Sequence, residues 1–442
     1  MEVLIEKLII YGIVGILFFF ILYRYLRKQK KASKIVEEKI VKAKEMGTHE
    51  PVSLHPVVDV NSCIKSGACI TACPEKDVLG IRNGKATTIN ASRCVGHSAC
   101  FIACPVGAIS LHIGTEKRGV QLPHVSPNFE SNIAGIFIAG EMGGMGLIKN
   151  SIEQGKQAIN NISKTLNKSD SEEYDLIIVG SGPAGISASL QAKKNGLKSL
   201  TLEQDSLGGT VFSFPRSKIV MTSPMDLPLY GKLKLVETTK SELLDVWEKV
   251  LELNEITISE NEKVNEIQKE ENSFRVTSNK RSYTSKKVLL AIGRRGAPRK
   301  LGVPGEEKEK VAYRLLEPEL IHNQNILVVG GGDSAVEAAI LLSEANNNVT
   351  LSYRSSSFSR IKPKNLESIN EKIEQNLISM IYSSTVNKIS DNSVELNVNE
   401  MVIKKIENDL VYIFAGGELP TQFLEKVGIK ITMKHGEAML KH

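Results

Sequence analysis

Cysteine is missing from most of this chain: all six lie between Cys63 and Cys104, and none follows from Pro105 to His442. A disulfide scaffold spreads its cysteines over the segments it staples, so this distribution excludes one and points to a metal or cluster site in a reducing compartment. Aromatic residues make up only 5%, with one Trp, and the charge excess is small, +6 from 56 Lys and Arg against 50 Asp and Glu. Basic residues are interspersed with acidic ones and form no aromatic-studded block, which excludes nucleic acid as a partner. Histidine is absent from Tyr174 to Arg299, so that stretch carries no His-based acid–base dyad. What the chain does have is length and apolar content: 442 residues at 41% hydrophobic suit two or three cored domains and rule out a disordered chain.

The one long apolar run comes first. Leu8–Tyr23 carries no charge, and Val3–Leu26 reaches spanning length if Glu6 and Lys7 sit at the interface, which predicts one transmembrane helix within residues 1–30. A cleaved secretory signal opens on basic residues and closes on small ones. This segment opens with Glu2 and Glu6 and closes on bulky aromatics, so the anchor is predicted to stay attached. Arg24, Arg27, Lys28, Lys30, Lys31 and Lys34 follow it, and the positive-inside rule then puts the C-terminal domains in the cytoplasm, on a single-pass membrane protein. Residues 31–55 are rich in Lys and Glu with Ile35, Val36, Ile40 and Val41 at helical spacing, predicting a linker helix that stops at Gly47.

Within residues 56–118 the cysteines form a duplication: Cys63, Cys69, Cys73 and Pro74 recur as Cys94, Cys100, Cys104 and Pro105, each 31 residues later. The spacing resembles the bacterial two-cluster ferredoxins, whose run is C-x2-C-x2-C-x3-C-P, with Ser66 and His97 standing where the second cysteine belongs. In that family the last cysteine of each run ligates the other run's cluster. The resemblance therefore implies one set of Cys63, Cys69 and Cys104 and another of Cys94, Cys100 and Cys73. Three thiolates suit a 3Fe–4S cluster, or a 4Fe–4S cluster whose last iron takes another ligand or none. His97 is the stronger candidate for that ligand and Ser66 the weaker, the alternative being that both merely occupy the turn. A non-thiolate ligand raises the reduction potential, as in Rieske centres. Structural zinc is the rival reading of a Cys/His set, although zinc sites usually pair cysteines two to four residues apart and do not need the Cys-Pro ending.

A second kind of repeat begins at Tyr174. The apolar run Tyr174–Val179 leads into Gly180-Ser181-Gly182-Pro183-Ala184-Gly185, a helical stretch and a second strand closed by Glu203. This is the full dinucleotide fingerprint: glycines for the turn and for close approach of a pyrophosphate to the helix N-terminus, an acid for the ribose. Ile326–Val329 with Gly330-Gly331-Gly332-Asp333-Ser334-Ala335 repeats it, but the second strand, Val349–Tyr353, is followed by Arg354. An Arg there suits a 2′-phosphate, which favours NADPH over NADH, with Arg360 a further candidate; the alternative is that Arg354 is a solvated surface charge. Such βαβ units imply doubly wound α/β domains with parallel sheets.

The two units in series, with Ala291-Ile292-Gly293 before the second and Phe414-Ala415-Gly416-Gly417 after it, resemble the two-dinucleotide-binding-domain flavoproteins of the thioredoxin reductase type. The resemblance implies FAD on the first unit, a nicotinamide nucleotide on the second, and insertion of the second domain into the first, with crossing strands at those motifs. It also implies homodimerisation and a closing strand with a glycine-acid turn against the flavin, which does not follow the NAD(P) domain here. Gly135–Gly140 with Glu141, followed by Met142–Gly146 and the helix-like Leu147–Ile162, looks like that piece moved forward by circular permutation, with Glu141 where Asp is usual. The alternative is an unrelated Gly-rich turn. Leu207-Gly208-Gly209-Thr210, with Phe212, Phe214 and Pro215, corresponds to the glycine pair that packs near the flavin in relatives including bacillithiol-reductase-like proteins, and Leu227–Val236 is a candidate for the substrate side. The predicted fold class is α/β: doubly wound FAD and NAD(P) domains plus a small α+β ferredoxin-like domain and the N-terminal helix. The predicted division is a ferredoxin-like domain at 56–118, a permuted flavin-binding segment at 119–165, an FAD domain at 172–300, an NAD(P) domain at 301–412 and a return to the FAD domain at 413–442.

Disulfide reductases of this architecture use a cysteine pair beside the flavin, and with no cysteine after Cys104 dithiol chemistry there is excluded. No side chain is assigned as catalytic. What remains is electron transfer: a nicotinamide delivers two electrons as hydride, a flavin can release them singly, and clusters accept one at a time. The predicted path runs from NADPH to FAD to one or two clusters to an external acceptor (protein, quinone or small molecule), or the reverse. The alternatives are a membrane-tethered redox sensor or electron-transfer subunit, and a ferredoxin-dependent reductase of a small metabolite.

Overall fold

The structure, a computed structural model, describes residues 2–45, 47–51, 54–75, 77–96, 98–116, 119–143, 147–166, 174–214, 219–221, 224–233, 237–294, 298–358 and 361–440. It divides into two compact units, Met1–Val120 with Lys434–His442, and Gln121–Met433.

In the first unit, the segments predicted as anchor and linker are one helix, Glu2–Glu45, with no break at residue 30. No Gly or Pro interrupts the chain between Gly15 and Gly47, so nothing stops propagation. At Gly47, φ +70°, the helix ends as the sequence predicts: the amides of Gly47 and Thr48 turn back to the carbonyls of Lys44 (3.1 Å) and Ala43 (2.9 Å). The helix is long and apolar enough to cross a membrane, its most apolar window having a mean hydropathy of 1.6 with none of it buried. Its later turns are docked: Ile40 and Ala43 are buried, and a Cβ added at Gly80 would meet Val36 at 3.0 Å. A hairpin, Leu79–Arg82 with Lys85–Thr88, and two short helices, Ala68–Ala72 and Ala99–Ile102, carry the duplicated module. Strand Ile109–Ile113 pairs antiparallel with His55–Val58 on one edge and with Glu437–Leu440 on the other. The stretch 413–442 is therefore split, its last residues filling a sheet edge of this module rather than staying with the FAD domain.

The second unit is built around two larger sheets, beside a three-stranded antiparallel sheet, Ser384–Ile389 with Ser393–Val398 and Val402–Glu407, and shorter two-stranded pairs. The first runs Ile258–Ser259, Ser199–Leu202, Tyr174–Val179, Ser282–Leu290, Phe274–Ser278, Val264–Lys269, with Ile136–Ile138 pairing parallel to the end of Ser282–Leu290 (Val288 with Ile136, Leu290 with Ile138). Its parallel strands read as continuous apolar runs because both faces are covered. Helix Ile148–Thr165 packs on helix Pro183–Lys194, joining Ile159 and Ile162 to Ala184, Ala188 and Leu289 in one core. The second sheet is parallel and five-stranded, in the order Val311–Ala312, Leu410–Ile413, Asn325–Val329, Asn348–Ser352, Ile378–Ile381. The chain's two crossings between the sheets run side by side, Arg299 N donating to Gly416 O at 2.9 Å and Pro298 bridging Gly417. Past the second crossing, Leu424 and Ile429 return to the core of the first sheet beside Ile138 and Val288.

Candidate functional site

The six cysteines form no disulfide among the described residues and fall into two groups. Cys63, Cys69 and Cys104 line one small cavity with Ile64, Ser66 and Val106. The Cys69 thiol is pushed up first by burial, then by the neighbouring Cys104 and Cys63. Cys100 is pushed up to about 12 by burial, then by Cys94 and Cys73, and Cys94 to about 11 by burial, with Cys73 adding to it. Cys69 also acts on Cys100, so the two groups adjoin. Backbone amides already point at sulfur: Ala86 N donates to Cys63 Sγ (3.4 Å) and Ala108 N to Cys104 Sγ (3.2 Å). Among the described residues, no three His, Cys, Asp or Glu side chains converge on a single ion. Thiols ranged around a cavity fit a polynuclear cluster, whose positive irons reverse the burial penalty on thiolates and whose potential such N–H···S bonds tune. Ser66 is exposed and accepts from Ala68 N (3.4 Å); His97 lies outside the described residues.

The first glycine turn is built as its fingerprint requires. Gly180 has φ +102°, and a Cβ there would lie 2.6 Å from Ala291 O, so only glycine fits. Buried Glu203 accepts from Ser181 N (2.7 Å) and Ser181 Oγ (3.1 Å), tying the end of its strand to the turn. Around Gly182 the space is open, as a pyrophosphate needs, and Pro183, Ala184 and Gly185 start the helix behind it. Gly208 N donates to Ser181 O (3.0 Å), which brings the Gly208-Gly209 loop against this turn. Gly140, at the end of strand Ile136–Ile138, sits on Ala184 and donates its amide to Gln154 Oε1 (2.8 Å). Beside Glu141 stands Arg294, whose guanidinium burial pulls down while the carboxylate opposes. Sequence reasoning missed Gln154 and Arg294. Only their proximity across the fold identifies them, although Arg294 does follow the Ala291-Ile292-Gly293 motif.

In the second unit Gly330 and Gly332 frame the turn, Asp333 opens helix Asp333–Glu344, and Ala335 is buried behind it. Asp333 Oδ1 is engaged by Lys362 N (2.8 Å) and Asn365 Nδ2 (2.7 Å), so it orders the loop that faces the turn. Ser334 and Arg354 are exposed; Arg360 lies outside the described residues. Tyr353, which the sequence did not single out, covers Gly331 and stacks on Phe358 with centroids 5.6 Å apart, walling the turn beside Arg354.

Two glycine turns, each at the end of a parallel strand in its own sheet, joined by paired crossings, define a flavin- and pyridine-nucleotide-dependent oxidoreductase. The chain belongs to the pyridine nucleotide-disulphide oxidoreductase family, which it matches over residues 177–441, and it carries a 4Fe-4S dicluster domain over residues 55–105. It is similar to bacilliredoxin reductase Bdr of Bacillus subtilis, 29% identical over 59% of this chain and 82% of that one. It is also 31% identical to a ferredoxin–NADP reductase of Limosilactobacillus fermentum, over 52% of this chain and 68% of the relative. The solved bacillithiol disulfide reductase Bdr of Staphylococcus aureus superposes with a TM-score of 0.53 at 27% identity, over 59% of this chain and 82% of that one. The protein is thus an FAD-dependent NAD(P)H oxidoreductase with an iron–sulfur domain.

Proposed function

We propose that the chain is a membrane-anchored NADPH oxidoreductase that passes electrons through FAD and two iron–sulfur clusters to a separate acceptor. What supports this reading is the dicluster match over the duplicated cysteine runs, three of whose thiols, Cys63, Cys69 and Cys104, line one cavity, in a chain that has no cysteine in the family region; we assign Cys73, Cys94 and Cys100 to the second cluster. Lacking a thiol there, the flavin half has no dithiol to reduce, and the clusters are the chain's own outlet for its electrons. When bound, the flavin supplies the change from two-electron to one-electron transfer. Gly180 and Gly182 admit its pyrophosphate, Glu203 holds the ribose side, and Gly140 with Glu141 and the Gly208-Gly209 loop approach the flavin end. This makes the 119–165 segment the permuted closing piece of the FAD domain, and parallel pairing of Ile136–Ile138 with Val288–Leu290 supports that assignment. Gly330, Gly332, Asp333 and Ser334 form the nicotinamide nucleotide's turn, with Arg354 on its 2′-phosphate. The exposed apolar helix supports anchoring.

The test is anaerobic purification without residues 1–30, followed by visible and electron paramagnetic resonance spectra before and after NADPH or NADH. Flavin bleaching by NADPH with subsequent cluster reduction is expected, and the spectra distinguish 3Fe–4S from 4Fe–4S centres. Flavin reduction with clusters left oxidised would turn the reading toward a sensor; a preparation without iron or flavin would end it.

A further inference from the structure

The stem of the anchor helix ranks the two cluster sites by distance from the membrane. Contacts climb it in order: Gln29 with Lys65, Ser33 with Asn83 (3.1 Å), Glu37 with Arg82, Lys39 with Asp77 (2.5 Å), and past its end Thr48 with Asn90 (2.7 Å). Gln29 comes three residues after Leu26, the last of the exposed apolar stretch, and so only about 4.5 Å farther along the axis. The headgroup layer is itself roughly 5–7 Å deep on each side. Lys65 lies between Ile64 and Ser66 in the loop lining the Cys63–Cys69–Cys104 cavity. The other site belongs to the far end, about 24 Å up the axis where the helix stops at Glu45. There Ser92 N donates to Thr48 O (3.1 Å) and Gly96 sits against Leu54, in the loop that carries Cys94.

The near site also has the surface chemistry of a lipid contact. Of the residues lining the cavity, Ile64 is 63% exposed and Val106 41%; Val60, 52% exposed, follows Asp59 in the chain, and the charges around the site are the cations of Lys65 and Lys85, the latter donating to Cys63 O (2.7 Å), and the Asp59 carboxylate. Arg24, Arg27, Lys28, Lys30, Lys31 and Lys34 complement anionic headgroups at the same level. We propose that the Ile64–Ser66 loop rests on the lipid surface, which makes the Cys63–Cys69–Cys104 site the electron exit and a lipophilic quinone its acceptor. This rests on the anchored electron-transfer reading above. The overall balance is NADPH + H⁺ + quinone → NADP⁺ + quinol: the quinone gains two electrons and two protons, one proton corresponding to the nucleotide's hydride and one drawn from water.

The test uses the full chain in phospholipid vesicles. The native Trp247 is fully buried and gives a constant background, so Ile64→Trp and His49→Trp chains report the two ends of the stem. Lipids brominated on the acyl chain near the headgroup are expected to quench the added emission of the Ile64→Trp chain about twofold and to spare that of the His49→Trp chain. Vesicles loaded with a long-chain naphthoquinone are expected to be reduced by NADPH, and Ile64→Glu to lower that rate about tenfold relative to ferricyanide reduction, a loss of about 1.4 kcal/mol at the contact. Equal or reversed quenching in chains that sediment with the vesicles overturns the lipid-facing loop and leaves the anchor standing. Chains that stay in the supernatant overturn both, and quenching without quinone reduction overturns the acceptor.

Discussion

Single side chains decide which cluster forms where. Under the proposed crossed ligation Cys69 joins Cys63 and Cys104, and Cys94 joins Cys73 and Cys100, so Cys69→Ala and Cys94→Ala should each abolish a different paramagnetic signal and lower iron content by about half. Uncrossed ligation would instead pair Cys69 with Cys63 and Cys73, and Cys69→Ala with Cys73→Ala would then remove the same signal. In the NAD(P) half, Glu306 carries a pH dependence. Burial works against its ionisation, yet the hydroxyl of Tyr313 and the amides of Leu301 and Gly302, each 2.7 Å away, outweigh it and hold the carboxyl below the usual carboxylate range. A lowered folded-state pKa means this stabilisation is complete above the unfolded value of about 4.3 and is lost as pH falls through the folded one. Glu306→Gln is therefore expected to cost about 1.5–3 kcal/mol at neutral pH, with the gap to the native chain closing in acid, as read by urea unfolding across pH. A gap independent of pH would show that shape, not charge, holds the loop.

Between elements, helix Ile148–Thr165 approaches helix Pro183–Lys194 so closely that a Cβ on Gly155 would sit 2.2 Å from Ala184 O. Ala184 lies in the first turn behind the dinucleotide loop, so separating the helices moves that loop as well. Gly155→Leu should destabilise by about 1–3 kcal/mol and lower flavin content together, measured by thermal unfolding and by the flavin absorbance of purified protein. Normal flavin content in a destabilised variant would confine the contact to packing. Gly155 also marks where sequence reading stops. Cysteine spacing, both glycine turns, the closing Glu203 and the helix stop at Gly47 are local patterns, and each appears where its spacing says. Gln154 on Gly140, Arg294 beside Glu141 and Tyr353 over Gly331 are chosen by how elements meet, which no local spacing encodes. The unbroken helix past residue 30 was legible in retrospect, since no Gly or Pro stands between Gly15 and Gly47; the change from apolar to charged composition marks a change of surroundings and not a change of conformation. The return of Glu437–Leu440 to strand Ile109–Ile113 depends on an edge left open more than 300 residues earlier, and nothing local announces it.

At the scale of the whole molecule, the two units differ in what holds them. Gln121–Met433 buries several large apolar clusters across two sheets, whereas the module around the cysteines rests on a short roll of side chains, among them Leu54, Leu79, Ile89, Ile109, Leu111 and Ile113. A core that small supplies little net stability by itself, and ligation of a cluster by buried thiols is then folding free energy. With two such units, a single midpoint is not defined. Calorimetry of the holoprotein should resolve two transitions, and removal of iron by an anaerobic chelator should lower the one that bleaches with cluster absorbance by about 10 °C or more, since in a domain of this size each kcal/mol is worth about 4–8 °C. The transition that follows flavin release should move by far less, because its sheets keep their apolar burial whether or not iron is bound. An unchanged first transition after complete iron loss would mean that the docked stem of the N-terminal helix, through Ile40, Ala43 and Val36, holds the module together without its clusters.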